Sequence, residues 1–174
     1  MFAGKTEHLI ARLRRAESEG LCVRAFKHAI DNRYDATHLV THTQDRFDAV
    51  PIRDVASILD QAAGADLVAI DEGQFFKDAL IPVVDELLRR GTSVIVAGIS
   101  NDAWGRPFEP MPQLMEMADE LITRQSPCRV CGRPSPYTQR MTSVNDLHMV
   151  GGVDDYEPRC AEHFEPLAGP PERR

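Results

Sequence analysis

Three short stretches of this chain carry residue types and spacings that can do chemistry. The first is AGKT, Ala3 to Thr6, inside the opening run MFAGKTEHLIARLRR. The second is ADLVAIDEGQFF, Ala65 to Phe76, where Asp71 and Glu72 follow a continuous apolar run. The third is Cys128-x-x-Cys131, answered further on by Cys160-x-x-His163.

Gly4-Lys5-Thr6 matches the end of the phosphate-binding loop G-x-x-x-x-G-K-[ST]. In that loop backbone N–H groups wrap phosphate oxygens, the lysine reaches the β- and γ-phosphates and the hydroxyl serves magnesium. The helix after the loop adds a favourable dipole. Taken alone the match is weak, because a Thr6 that simply caps a helix explains it equally well. The first glycine of the pattern falls two residues before Met1, and the strand that normally enters the loop falls before that. The expectation is therefore a natural start upstream, with Met1 internal to the loop; a truncated relative is the alternative.

The second stretch strengthens the first. LVAI is the signature of a strand buried on both faces. An acid at the carboxyl end of such a strand holds magnesium in phosphoryl-transfer sites, and Asp71 fits that place. Glu72 points elsewhere and is available to act as a base. Two solvated acids at a strand end are the bland reading. The cysteine and histidine pairs fit one tetrahedral structural zinc of Cys3His type, with every position filled by protein and none left for catalysis. Scattered cysteines and a nucleic-acid-reading zinc ribbon are the rivals. Arg129, Arg133 and Arg140 favour the ribbon, and Asp154, Asp155, Glu157, Glu162 and Glu165 oppose it.

The elements that must position these residues can be read from periodicity. Leu9, Ile10 and Leu13 recur at helical spacing over Thr6 to Ala16, and Gly20 stops that helix. LCVRAF (Leu21 to Phe26), HLVTH (38–42) and SVIVAGI (Ser93 to Ile99) read as strands. Asp54 to Ala63, Ala79 to Arg90 and Gln113 to Ile122 read as helices. Alternation of strand and helix implies an α/β fold with a mostly parallel sheet. Ligands on such sheets bind outside the carboxyl ends of the strands. Arg12, Arg14 and Arg15 form a solvated basic helix face. The proline-rich tail PLAGPPERR is expected to be disordered.

Bulk numbers set the bounds. A chain of 174 residues with 43% hydrophobic and 27% charged content suits one globular core with a small appendage. The net charge of −7 argues against sequence-independent nucleic-acid binding. No apolar run approaches the roughly 20 residues of a membrane span, and no secretory pattern opens the chain. Four cysteines, three of them in the metal pattern, favour a reducing, cytoplasmic setting.

In sequence the chain resembles the type II, zinc-containing thymidine kinases. The blocks that carry the resemblance are MFAGKTEHLIARLRR, DNRY (Asp31 to Tyr34), IDEGQFF (Ile70 to Phe76), GRPFEPMPQLMEMAD (Gly105 to Asp119), CRVCG, TQR (Thr138 to Arg140) and VGGVDDYEPRCAEH (Val150 to His163). They stand in family order and span almost the whole chain to His163. The resemblance implies a P-loop kinase core over residues 1–123, a zinc lobe with a nucleoside-closing loop over 124–166, and a disordered tail over 167–174. It implies ATP-dependent phosphorylation of the thymidine 5′-hydroxyl to give dTMP, with Mg2+, a structural Zn2+ and a homotetramer. Charge and the lack of a long apolar run point to no nucleic-acid or membrane partner.

Residue by residue, the resemblance makes Glu72 the general base. Gly4, Lys5, Thr6, Asp71, Glu72, Gly73, Gln74 and Arg33 would serve ATP and magnesium. Met1, Phe75, Val150, Gly151, Gly152, Val153 and Tyr156 would surround the nucleoside, and Cys128, Cys131, Cys160 and His163 would hold zinc. Three departures stand out. The front of the loop and its strand are absent from the chain. The family's G-L-D-x-x-F-[RQ] becomes GISNDAW (Gly98 to Trp104), with Ser100 for the acid and Ala103 for the phenylalanine that lies by the base. Trp104 is the candidate to fill that space. Gln44 replaces the usual glycine after the T-H block. These departures leave open an altered base preference or a non-catalytic relative.

Overall fold

The computed structural model describes residues 3–31, 35, 37–41, 44–142 and 153–168, with Val153 described in its backbone only. The expected sites at Met1, Arg33, Val150, Gly151 and Gly152, and the tail at 169–174, lie outside the described residues.

Helix α1 runs Lys5–Ser18 and buries Leu9, Ile10, Leu13 and Ala16, the stripe its periodicity predicts. Strands come next at β1 (Val23–His28), β2 (His38–Val40), β3 (Arg46–Asp48) and β4 (Val50–Ile52). Asp54 then caps a 3-10 turn, its carboxylate accepting from the Ala56 N–H at 3.1 Å, and helix α2 occupies Ile58–Gln61. Strand β5 (Leu67–Asp71), helix α3 (Leu80–Arg89), strand β6 (Ser93–Val96) and helix α4 (Met111–Met117) follow. Short strands β7 (Ser126–Pro127), β8 (Pro134–Ser135), β9 (Tyr137–Arg140) and β10 (Tyr156–Arg159) surround the cysteines as two antiparallel pairs, β7 with β8 and β9 with β10.

The main sheet has the order β4-β1-β5-β6 and is parallel throughout. All five residues of β5 are buried, as the continuous apolar run requires of a strand covered on both faces. One face is packed by α2, α3 and α4 around Phe26, Val68, Ile70, Leu80 and Leu114. The other is packed by α1 and the β2–β3 hairpin around Leu13, Ala25, Leu39, Leu67 and Ala69. Residues therefore alternate along β1 and β5, with odd positions facing α1. The basic face of α1 is solvated and ion-paired, Arg12 to Glu120, Arg14 to Asp45 and Arg15 to Glu19.

Several boundaries differ from the sequence reading, each for a physical reason. Strand β2 is real but pairs antiparallel with β3, outside the parallel sheet. Strand β4 was not expected, since it contains Pro51; an edge strand tolerates the lost donor. Helix α4 begins at Met111, with Pro112 in its first turn where no intrahelical donor is needed, and it stops at Met117. Leu121 and Ile122, 54% and 46% exposed, offer no buried face to prolong it. Gln44 adopts a left-handed backbone, φ 65°, which explains the glycine usual at this place in the family. A side chain there costs about 1 kcal/mol.

Among the described residues, no helix is long and apolar enough to cross a membrane.

Candidate active site and metal centre

Strand β1 feeds the hairpin on one side of the sheet, while its neighbour β5 feeds α3 and β6 on the other. Such a reversal opens a crevice outside the carboxyl ends of the two strands. A cavity of about 480 Å³ lies there, lined by Gly4, Lys5, Thr6, Asp31, Asp71 and Glu72 at one end. It continues past β6 towards Tyr137 and Thr138.

Gly4 is left-handed, φ 66°, and stands at the N-cap position with no side-chain cap. Thr6 sits inside the first turn of α1, so the helix-cap reading of Thr6 fails. The first-turn N–H groups of a helix have no intrahelical acceptor and suit an anion. Lys5 reaches across from this turn, its Nζ 3.5 Å from Glu72 Oε1.

Glu72 has φ 53°, a left-handed conformation costly for any residue but glycine and typical of functional turns. The next two residues account for the order Asp-Glu-Gly-Gln. A Cβ on Gly73 would lie 2.6 Å from Val96 Cγ1, so no side chain fits there. Gln74 is fully buried. Its Nε2 donates to Glu72 Oε2 at 2.5 Å and its Oε1 accepts from the Ile99 N–H at 3.2 Å. The glutamate is thus oriented by a buried amide that is itself fixed to the chain leaving β6.

Asp71 is 4% exposed, and its Oδ1 accepts from the Glu72 N–H at 3.0 Å. Burial raises its pKa to about 6; Lys5 pulls it down, while Glu72 and Asp31 push it up. A buried carboxylate short of positive charge, beside two further acids, fits a divalent cation and phosphate oxygens.

The structure brings Gly4, Lys5, Thr6, Asp71 and Glu72 together on one cavity wall, with Gly73 and Gln74 directly behind. Phe75 is half-buried with its ring 6.1 Å from that of His28, outside the cavity lining. Tyr156 lies on β10, its hydroxyl accepting from Arg140 at 2.6 Å, and it also stands outside the lining. Val153 opens a 3-10 turn to Asp155. Trp104 also stands outside the lining. Its Nε1–H donates to the Ala168 carbonyl at 3.3 Å, and its ring carries Arg106 at 5.3 Å rather than facing the cavity.

Sequence reasoning missed Asp31 and Lys27 as parts of this wall, and Arg124, whose Nε donates to the Ala3 carbonyl at 3.0 Å. Asp31 stood in view within DNRY. Lys27 was discoverable only by extending the alternation of β1 to its end.

The four proposed zinc ligands converge, with ligand atoms all within 4.8 Å of one another. Cys131 Sγ lies 3.7 Å from Cys160 Sγ, and His163 Nδ1 lies 3.2 Å from Cys160 Sγ. Two sulfurs on a tetrahedral zinc stand about 3.8 Å apart, given bonds of about 2.3 Å, so the group can hold zinc. Burial raises the Cys128 thiol, but backbone N–H groups of Cys160, Cys131 and Val130 outweigh it and bring the pKa down to about 6. Arg133 donates to Cys131 Sγ at 3.4 Å and pairs with Glu162. Arg133 and Arg140 are both engaged within the lobe, which weakens the nucleic-acid reading.

The electrostatics of Asp71 make a stability prediction. Its folded pKa stands above the unfolded value, so its contribution is fully present below about pH 4 and is lost as pH rises through about 6. In the metal-free, nucleotide-free protein, Asp71→Asn is expected to melt a few degrees above the parent at pH 7. The gain should vanish below about pH 4, since each kcal/mol is worth roughly 2–4 °C at this size. Equal melting temperatures at pH 7 would contradict the assignment of a buried, charged Asp71.

Comparison with known proteins agrees with this geometry. A family model described as thymidine kinase matches residues 1–164. A thymidine kinase of Rhodothermus sp. (strain ITI 518) is 43% identical over 166 residues, covering 95% of this chain and 78% of the relative. One of Bdellovibrio bacteriovorus is 42% identical over 172 residues, covering 98% of this chain and 84% of the relative. One of Coprothermobacter proteolyticus is 43% identical over 171 residues, covering 95% and 86%. With the phosphate-loop helix, the Asp-Glu-Gly-Gln turn and the Cys3His group placed as described, the chain belongs to the thymidine kinase family.

Proposed function

We propose that this protein transfers the γ-phosphoryl group of ATP to the 5′-hydroxyl of thymidine, giving dTMP and ADP. The observation that carries the reading is the convergence of Lys5 and Glu72 at 3.5 Å, with Glu72 held by the buried Gln74. Phosphoryl transfer asks mainly for positioning and charge neutralisation. Lys5 and the first turn of α1 hold the phosphates. Glu72 accepts the proton of the attacking hydroxyl, as a carboxylate within reach of that hydroxyl does. Thr6 and Asp71 are the residues that would hold magnesium, which would supply charge neutralisation for the transferred group. The Cys3His group would hold zinc, which would brace the lobe that carries β9 and β10.

The remaining assignments rest on family resemblance. By that resemblance Arg33 would serve the phosphate donor, and Met1, Phe75, Val150, Gly151, Gly152, Val153 and Tyr156 would serve the nucleoside. The active form is a cytoplasmic homotetramer, with residues 1–123 as core and 124–166 as zinc lobe. One observation favours a second reading, an altered base preference. Trp104 donates its indole N–H to the Ala168 carbonyl and stands outside the cavity lining, and Ala103 stands where the family has a phenylalanine.

Each of these readings has a direct test. With labelled ATP, the parent protein is expected to phosphorylate thymidine, and Glu72→Gln to lose about 10²-fold or more in kcat. Unchanged turnover removes Glu72 as the base, and an inactive parent removes the reading altogether. A nucleoside panel separates the two preferences, because thymidine leading by a wide margin rejects the altered one. Elemental analysis should find one zinc per chain. Stripping it, or Cys160→Ser, should lower the melting temperature by several degrees, since a metal that binds only the folded state stabilises it. A protein whose melting ignores zinc removal would contradict the metal assignment.

A further inference from the structure

Lys27 is 4% exposed, an unusual place for an ammonium group. It ends the buried part of β1 and is in register with Asp71 on β5, one inter-strand spacing of about 4.8 Å away. The alternation that sends Ala25 and Ala69 towards α1 sends Lys27 and Asp71 the same way, into the crevice wall. Its charge is nevertheless aimed at the chain beyond β1. Nζ donates to the Asp35 carbonyl at 2.8 Å and to the His38 carbonyl at 3.2 Å.

Those two carbonyls belong to a segment that is itself braced. The Asp35 carboxylate accepts from the Thr37 N–H at 2.8 Å and contacts His38 Nδ1 at 2.8 Å. His38 Nε2 reaches Asp48 across the hairpin at 3.2 Å. Asp31, Leu39 and Thr41, before and after this brace, line the same cavity as Lys5 and Thr6. Asp31 also acts electrostatically on Asp71, whereas the cation that lowers Asp71 is Lys5.

We propose that Lys27 is a positioning residue of the phosphate end of the site: its buried ammonium clamps the Asp35 and His38 carbonyls to the end of β1 and so fixes the wall formed by Asp31, Leu39 and Thr41. A buried charge is costly and an apolar chain of similar length would fill the space more cheaply. Its presence here is accounted for by the two carbonyls it holds. Removing it takes from both part-buried carbonyls the ammonium that holds them, and the wall relaxes away from Lys5. Lys27 acts through the wall rather than on the reacting atoms. The inference rests on the reading that the Lys5 end of the cavity takes the phosphates of ATP.

The test uses the full chain with steady-state kinetics on Lys27→Met, with Lys5→Met as control. The expected result is a KM for ATP raised about 10-fold or more, the scale of one charged hydrogen bond, with the KM for thymidine within about 2-fold of the parent. A purely structural lysine would lower the active fraction and leave both KM values alone, and that result overturns the proposal. If Lys5→Met also keeps the parent KM for ATP, the nucleotide-site reading falls with it. If Lys5→Met is impaired and Lys27→Met is not, only the clamp falls. Hydrogen exchange on Lys27→Gln gives a second readout, independent of activity and of a fragile Met variant. Amides of residues 35–41 should exchange faster while those of β5 keep their protection. Equal protection of both stretches contradicts the clamp.

Discussion

The buried amide of Gln74 joins the two strand ends on which the site depends. One of its atoms takes the N–H of Ile99, beyond β6, and the other gives a hydrogen bond to Glu72, beyond β5. A fully buried amide left half-paired costs about 1–3 kcal/mol, so the two contacts reinforce each other. The neighbouring residues obey this constraint. Glu72 accepts a left-handed backbone to bring its carboxylate to the amide, and Gly73 has no side chain because Val96 occupies the space. A Cβ on Gly98 would lie 2.8 Å from Gln74 Oε1, so that glycine too leaves room for the bridge. The order Asp-Glu-Gly-Gln is therefore one folded unit: a buried acid, an aimed acid, a gap and a buried brace.

Around that unit the fold divides the work between two faces of one sheet. The face covered by α1 delivers the glycine, lysine and threonine of the phosphate turn, together with Asp71 and Lys27. The face covered by α3 and α4 supplies the packing that holds β5 and β6 in register, with Phe26, Val68, Ile70 and Leu80 at its centre. The charges meet only at the carboxyl edge, where the connections from β1 and β5 part. There Lys5 is offset against three acids, and burial first, then Glu72 and Asp31, raise the pKa of Asp71; lowering it further would take more positive charge. Bound magnesium would supply it.

Much of this was legible in the sequence because it depends on local pattern. The unbroken LVAI run fixed a strand covered on both faces, the Leu9, Ile10 and Leu13 spacing fixed α1, and the cysteine and histidine pairs fixed the metal group. What was not legible depends on pairing and direction. Nothing local says that Lys27 lies in register with Asp71, or that the short VPI run joins the sheet through an edge that tolerates Pro51. The role of Gln74 was hidden because a sequence shows an amide but not where its two ends point. The direction of Trp104 was hidden for the same reason, its indole N–H being turned to the Ala168 carbonyl. Gln44 became intelligible only once its positive φ was seen.

The central claim is that a buried bridge, rather than the mere presence of a glutamate, makes Glu72 a base. Gln74→Met tests it most directly, since the side chain keeps its volume and loses both polar ends. Single-turnover transfer from ATP to thymidine should slow by about 10-fold or more, as expected when a catalytic group loses its positioning, while zinc content and the KM for ATP stay near the parent values. A single-turnover rate equal to that of the parent, in a folded Gln74→Met protein, would contradict the account.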